Sequence, residues 1–264
     1  MDILEKIVQY KRSEVAERRK VKSMSFLEQE ELFDRKCISA KQRILSAEPY
    51  GIISEFKRQS PSKGIINDKV DVVDVTSGYE SAGASAISIL TDESFFGGTT
   101  EDLGRARAVL NCPILRKDFI VDEYQVIETK AMGADLMLLI SACLNKSEVI
   151  KLATLAHSVG LEVLLEIHSL EEYDDQFLGS IDLLGVNNRN LKTFETTIQT
   201  SINLAKHLPD DVVKISESGL RTVKDLDEVS HAGYQGFLIG EQFMRHNDPA
   251  EELRQFMSAD SVSK

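Results

Sequence analysis

From residue 50 onward one pattern recurs eight times, and it leaves few folds open. Short, nearly continuous apolar runs stand at residues 51–55, 84–91, 113–117, 135–140, 162–166, 183–187, 212–216 and 236–240. The gaps between them leave room for one helix and two loops. Runs that are apolar on both faces read as strands of a parallel sheet covered by helices. The punctuation agrees. Gly83, Gly133, Gly160 and Gly233 each follow a helical run and precede a strand, as expected of a left-handed helix C-cap at an αβ corner. Helix starts are marked at Thr99-Thr100-Glu101-Asp102, Asp122-Glu123 and Asn145-Lys146-Ser147-Glu148, where a short polar side chain can cap the first free N–H groups.

Eight strands, each followed by a helix, predict an α/β fold, a (β/α)₈ TIM barrel. The 264 residues suit one such domain, with 1–48 as an N-terminal helical extension and 49–264 as the barrel. An open doubly wound sheet is the competitor. It ranks lower because no Gly-x-Gly-x-x-Gly follows any strand and nothing in the composition breaks the series. Residues 258–264 read as a frayed tail. In the extension, Ile3, Leu4, Ile7 and Val8 recur at helical spacing, and Phe26, Leu27, Leu32 and Phe33 suggest a second helix. Such a segment either plugs the barrel floor or forms a flap over the mouth.

Composition narrows the partners. The formal charge of −12 argues against nucleic acid or an anionic membrane surface. No run of 18 apolar residues occurs, and the first residues are not those of a signal peptide. Cys37, Cys112 and Cys143 are widely spaced and odd in number, which suggests neither disulfides nor a metal site and favours the reducing cytoplasm. A monomer is expected, and a small anionic ligand stays compatible with this charge, since a few local cations can set the field inside a pocket.

Barrel enzymes work at the C-terminal ends of their strands, and here those ends are polar. The first carries Glu55 and Lys57, which share one strand face while Phe56 takes the other. The third ends in Lys117 and Phe119, the fifth in Glu166-Ile167-His168, the sixth in Asn187 and Arg189, and the seventh in Glu217. Ser218-Gly219 and Gly240-Glu241 follow the last two strands, where barrels commonly hold phosphate on backbone N–H groups. Lysines and glutamates converging on one cavity suit proton transfer. A lysine there is expected to have a lowered pKa and a glutamate a raised one. The pair Glu55–Lys57 could instead be a structural ion pair. His168 reads as a solvated or capping residue, and Arg58 and Lys63 as steering or solvated loop charges. Two rival functions remain open: an aldolase with Lys57 or Lys117 as Schiff-base nucleophile, and a barrel without catalytic activity.

Six motifs carry a resemblance. Ser54-Glu55-Phe56-Lys57-Arg58-Gln59-Ser60-Pro61-Ser62-Lys63-Gly64, Leu90-Thr91-Asp92-Glu93-Ser94-Phe95-Phe96-Gly97-Gly98 and Leu115-Arg116-Lys117-Asp118-Phe119-Ile120 come first. Leu165-Glu166-Ile167-His168, Gly185-Val186-Asn187-Asn188-Arg189-Asn190-Leu191 and Ile215-Ser216-Glu217-Ser218-Gly219 follow. In this order, and together with the extension, the chain resembles indole-3-glycerol-phosphate synthases. The resemblance implies a cofactor-free, decarboxylative ring closure and dehydration in tryptophan biosynthesis. The substrate would be 1-(2-carboxyphenylamino)-1-deoxyribulose 5-phosphate, and the products indole-3-glycerol phosphate, CO₂ and water. It implies Lys117 as general acid at the ribulose carbonyl, Glu166 in the acid/base work of dehydration, and Lys57 at the substrate carboxylate. Glu55 and Asn187 would orient these groups, Ser60 and Arg189 would bind the anionic substrate, and Pro61 and Phe119 would wall its ring. Ser218, Gly219, Gly240 and the backbone of Glu241 would hold the phosphate, with the Glu241 side chain turned away. The family extension covers the mouth, which favours the flap. Asn190 stands where the family usually has Asp, which puts the hold on Arg189 in question. Gly97 stands where a polar residue is more usual, which bears on loop behaviour.

Overall fold

The computed structural model describes residues 3–191 and 193–258, so the tail expected to fray beyond Ser258 lies outside the described residues. Eight parallel strands close into a barrel in chain order. They are β1 (Gly51–Phe56), β2 (Ala86–Leu90), β3 (Ile114–Lys117), β4 (Leu136–Ile140), β5 (Glu162–Ile167), β6 (Leu183–Asn187), β7 (Val213–Glu217) and β8 (Gly236–Ile239). Closure is made by β1 pairing with β8, Gly51 opposite Gly236 and Ser54 opposite Ile239.

Alternation along each strand builds two layers inside the barrel. Ile53, Leu115, Leu164, Leu183 and Ile215 form an apolar layer in the lower interior. Two residues further along the same strands stand Glu55, Lys117, Glu166, Gly185 and Glu217. The sequence thus buries an oily layer and places the ionisable groups one step above it, at the mouth. Outward-facing residues such as Ile52, Phe56, Ile87, Ile89, Val163 and Leu165 join the larger core under the helices.

The expected corners and caps are present. Gly83, Gly133, Gly160 and Gly233 all have positive φ, between 81° and 104°. Thr99 and Asn145 form capping boxes with Asp102 and Glu148, and Asp122 caps its helix through the N–H of Tyr124. One unit departs from the repeat. After β5 the chain makes only two 3₁₀ turns, Leu170–Glu172 and Asp175–Phe177, instead of an α-helix. Phe177 alone in those turns is buried as core.

The extension does both jobs that were posed as alternatives. Helix α1 (Ile3–Val21) brings Ile3, Leu4 and Ile7 over the mouth. The second helical segment shrinks to α2 (Met24–Leu27). Helix α3 (Ala40–Leu45) then buries Ala40 and Ile44 in the interior cluster, against the first residues of β1 and β8. Its N-terminus is held from below by Glu162, whose carboxylate accepts from the N–H of Ala40 (2.8 Å) and Lys41 (3.1 Å) and from the Ser39 hydroxyl. The family-based expectation of a flap alone is therefore incomplete: the same segment also plugs the floor.

A buried ion cluster fastens α1. The Lys11 ammonium is fully buried, 2.8 Å from Asp92 and 3.0 Å from Asp118, with Glu14 at 2.9 Å. Asp118 is also bound by Arg116 at 3.0 Å, and Arg116 by Glu128 at 2.7 Å. Burial disfavours the ammonium, but Asp118 and Asp92 outweigh it and push the Lys11 pKa up to about 12.

Candidate active site

At the mouth, Lys117 is the hub. Its ammonium lies 2.6 Å from Glu217 Oε2 and 3.0 Å from Glu166 Oε2. Asn187 donates from Nδ2 to Glu166 Oε1 at 3.2 Å and accepts through Oδ1 from the Arg189 N–H at 3.0 Å. Lys57 pairs with Glu55, and Ser88 donates to Glu55 at 3.5 Å. Glu55, Lys57, Lys117, Glu166, Asn187, Arg189 and Glu217 line one cavity, with an apolar wall made by Ile3, Leu4 and Ile7 from α1 and by Pro61, Phe96 and Phe119. Phe96 and Phe119 stack at a tilt, 6.0 Å between centroids. Ser60 is buried there, its hydroxyl 3.4 Å from that of Ser62. Every residue proposed for catalysis or ring binding from the sequence is thus gathered on one wall or another of this space.

At Lys117 and Glu166 the charges run opposite to the sequence expectation. Burial lowers the pKa of Lys117, but Glu166, Glu217 and Glu55 outweigh it and raise it well above that of a free lysine. Glu166 is pushed up by burial, yet Lys117 and then His168 hold it well below the usual carboxylate range. The glutamate with a raised pKa is Glu217, pushed up to about 8 by burial and by the neighbouring Glu166, against the pull of Lys117. Its Oε1 is buried without a hydrogen-bond partner among the described residues, packed so close to Gly185 that a Cβ there would sit 2.4 Å away. Two carboxylates share one ammonium, and the one with a bare oxygen is the one whose pKa is raised. From the sequence Glu217 was only one polar strand end among several. The signal available was its register, directly opposite Asn187 on the neighbouring strand.

His168 is also misread by sequence alone. Its side chain is 11% exposed, and its ring nitrogens lie 3.3 Å from Glu166 and 3.1 Å from Glu172. Arg58 neither steers nor floats: its two terminal nitrogens grip Asp102 at 2.6 and 2.9 Å, over the face of Phe56.

A second, polar cavity adjoins the first at the ends of β7 and β8. Ser218, Gly219, Gly240 and Glu241 line it together with Lys57, Lys63 and Arg189. Ser218 and Gly219 both have positive φ, 69° and 77°. Arg189 bridges three loops, donating to Ser62 Oγ at 2.8 Å, Thr196 Oγ1 at 3.3 Å and Glu241 Oε2 at 3.0 Å. The concern raised by Asn190 is met by this triple hold, while Asn190 Oδ1 accepts from the Thr193 N–H at 3.1 Å and shapes the turn. The Glu241 carboxylate is not turned away. It faces Arg189 and, at 3.4 Å, Lys63, and despite its partial burial these cations hold its pKa below the usual value. It therefore occupies two cations that a bound anion could use. Glu241→Ala is expected to leave KM for a phosphorylated substrate unchanged or lower; a large rise would mean that the carboxylate itself serves binding.

The comparisons with known proteins agree with this geometry. The family model described as indole-3-glycerol phosphate synthase matches residues 4–256. This chain belongs to that family. The indole-3-glycerol phosphate synthase of Bacteroides thetaiotaomicron is 46% identical over 259 residues, covering 98% of each chain. That of Burkholderia lata is 42% identical over 254 residues, covering 96% of this chain and 97% of its own. Among solved structures, the thiamine phosphate pyrophosphorylase of Pyrococcus furiosus aligns with a TM-score of 0.59 at 14% identity, over 86% of this chain and all of its own. KGPDC from Streptococcus mutans aligns with a TM-score of 0.61 at 12% identity, over 81% and 98%. These two likenesses speak to the barrel alone; the family assignment rests on the sequence relatives. Among the described residues, no three His, Cys, Asp or Glu side chains are grouped so as to hold a metal ion, and no helix is long and apolar enough to cross a membrane.

Proposed function

We propose that this chain closes the indole ring of 1-(2-carboxyphenylamino)-1-deoxyribulose 5-phosphate, with loss of CO₂ and water, using its own side chains as acids and bases. The observation that carries the reading is Lys117, an ammonium fixed between two carboxylates in a cavity with an apolar wall that adjoins a cationic one. An aromatic acid joined to a sugar phosphate has that same division of character. The aryl ring fits against Pro61, Phe96 and Phe119, and the phosphate fits between Ser218-Gly219 and Gly240-Glu241.

In this pose the Lys117 ammonium polarises the ribulose carbonyl as the aryl carbon attacks. Its raised pKa keeps it charged. The carbonyl oxygen becomes a basic alkoxide as the C–C bond forms, and the ammonium beside it supplies the proton. Lys57 lies on the β1 side of the cavity and is suited to hold the carboxylate that departs as CO₂. Glu166, held ionised, can then take a ring proton during dehydration, with Asn187 fixing its second oxygen. Glu217 holds Lys117 in place. The same properties speak against the aldolase alternative at Lys117, since a Schiff-base nucleophile must shed its proton and Lys117 is held protonated. The chain is further read as a cytoplasmic monomer.

The direct test is turnover of 1-(2-carboxyphenylamino)-1-deoxyribulose 5-phosphate by purified protein, followed by the fluorescence of indole-3-glycerol phosphate. Product formation without added cofactor is the expected result. Folded protein that fails to turn the substrate over would refute the proposal, and borohydride trapping of a substrate adduct would favour an aldolase instead.

A further inference from the structure

The fifth unit of the barrel carries a feature that the mechanism above does not use. Because β5 is followed by the 3₁₀ turn Leu170–Glu172 rather than by a helix, the chain folds back and sets Glu172 against His168, four residues earlier. One oxygen of Glu172 accepts from the His168 N–H at 2.9 Å and meets ring Nδ1 at 3.1 Å. Held at the backbone and at the ring, the imidazole presents its buried Nε2 toward Glu166 Oε1 at 3.3 Å, an ion-pair contact rather than an aligned hydrogen bond. That is the oxygen to which Asn187 donates; the other oxygen, Oε2, meets Lys117. His168, Glu172 and Asn187 line a cavity separate in its lining from the phosphate pocket.

We propose that His168 is a positioning residue for Glu166: as an imidazolium clamped by Glu172, it fixes the Glu166 carboxylate in its ionised form with Oε2 turned to Lys117. A ring between two carboxylates can satisfy both only by carrying both protons. Burial works against that charge, but Glu166 and Glu172 outweigh it and push the His168 pKa up to about 10. The charged groups around the ring are Glu166 from its own strand and Glu172 from the turn. Glu195 lies on the wall of the same cavity, and Lys117 and Glu217 stand beyond Glu166. Carboxylates dominate the near surroundings, so the ring stays cationic through neutral pH. An opposite charge at this distance lowers a carboxyl pKa by roughly 1–3 units. Removing the imidazolium therefore makes Glu166 easier to protonate, and the sign of the effect is fixed: activity that needs the Glu166 carboxylate is lost at higher pH than before.

This inference rests on the acid/base role proposed for Glu166, and its test has an arm that needs no turnover. In the full-length ¹⁵N-labelled protein, the His168 ring nitrogens should report a doubly protonated imidazole at pH 7, whereas a neutral single tautomer would overturn the proposal. In kinetics, H168Q should move the acid limb of the kcat profile upward by roughly 1–3 pH units, with KM little changed. E172Q should move it the same way by less. A loss by one constant factor at every pH, in either variant, would mark a purely structural role and sink the idea. Should H168Q fail to fold, the ring state in the parent protein and the E172Q profile still decide. If the parent makes no indole-3-glycerol phosphate, the synthase reading fails while the ring measurement stands on its own.

Discussion

Replacing Lys117 with alanine is expected to lower kcat by roughly 10²–10⁴-fold, the range for a lost general acid, while KM changes little. The geometry explains the split. The aryl wall and the phosphate turns are built from other residues, so substrate still binds. What disappears is the cation at the reacting oxygen, together with the main charge that keeps Glu166 ionised. With Lys117 gone, Glu166 keeps His168 as its cationic neighbour but faces the buried Glu217 without the ammonium between them, so its pKa should rise and its function as a base weaken. Lys117→Arg keeps a charge but replaces a compact ammonium by a planar fork, and is expected to restore little. A variant whose KM rises while kcat holds would show that Lys117 serves binding instead.

The largest stability effect is expected at Lys11. Lys11→Ala strips the ammonium from Asp92 and Asp118, both buried, and leaves charge that water cannot reach. Breaking such a pair costs about 3–5 kcal/mol, which urea denaturation would register as a lower midpoint. The cluster also sets a pH dependence. Asp118 is depressed below its ordinary value by Arg116 and Lys11 in spite of its burial. Its contribution is therefore present above the unfolded pKa and lost as pH falls through the folded one, so parent and variant should converge in acid. Because α1 also carries Ile3, Leu4 and Ile7 over the cavity, the variant should raise KM as well. A midpoint shift worth less than about 1 kcal/mol, the scale of an exposed pair, would mean that water reaches these charges.

Much of this was legible in the residues. Eight apolar runs, the glycine corners and the polar caps were each local signals, and each corresponds to an element or turn. The missing fifth helix was not foreshadowed: its gap reads like the others as room for a helix and two loops, because a segment's length is visible in sequence and its packing is not. The membership of the site was also legible, since period two carries Glu55 and Lys57, or Asn187 and Arg189, to one side of the sheet. Its electrostatics were not. Whether Lys117 is made a weaker or a stronger proton holder depends on how many carboxylates surround it, and Glu217 and Glu166 lie 100 and 49 residues away in the chain. For the same reason His168 looked peripheral: its significance comes from Glu172 folding back, a turn that no periodicity announces. The two readings of the extension were never exclusive, because 48 residues are long enough to reach both ends of a barrel.

That reach bears on how the molecule is assembled. The seam that closes the cylinder lies between β1 and β8, and its first rung is Gly51 opposite Gly236. A Cβ at Gly51 would stand 2.6 Å from Ile44 Cγ2, and one at Gly236 would stand 3.1 Å from the same atom. The two bare rungs leave a notch that Ile44 fills. Ile44 is made early in synthesis, but its notch exists only when the last strand has come round to meet the first. Full seating of Ile44 therefore depends on closure of that seam, which ties the first segment of the chain to its last strand.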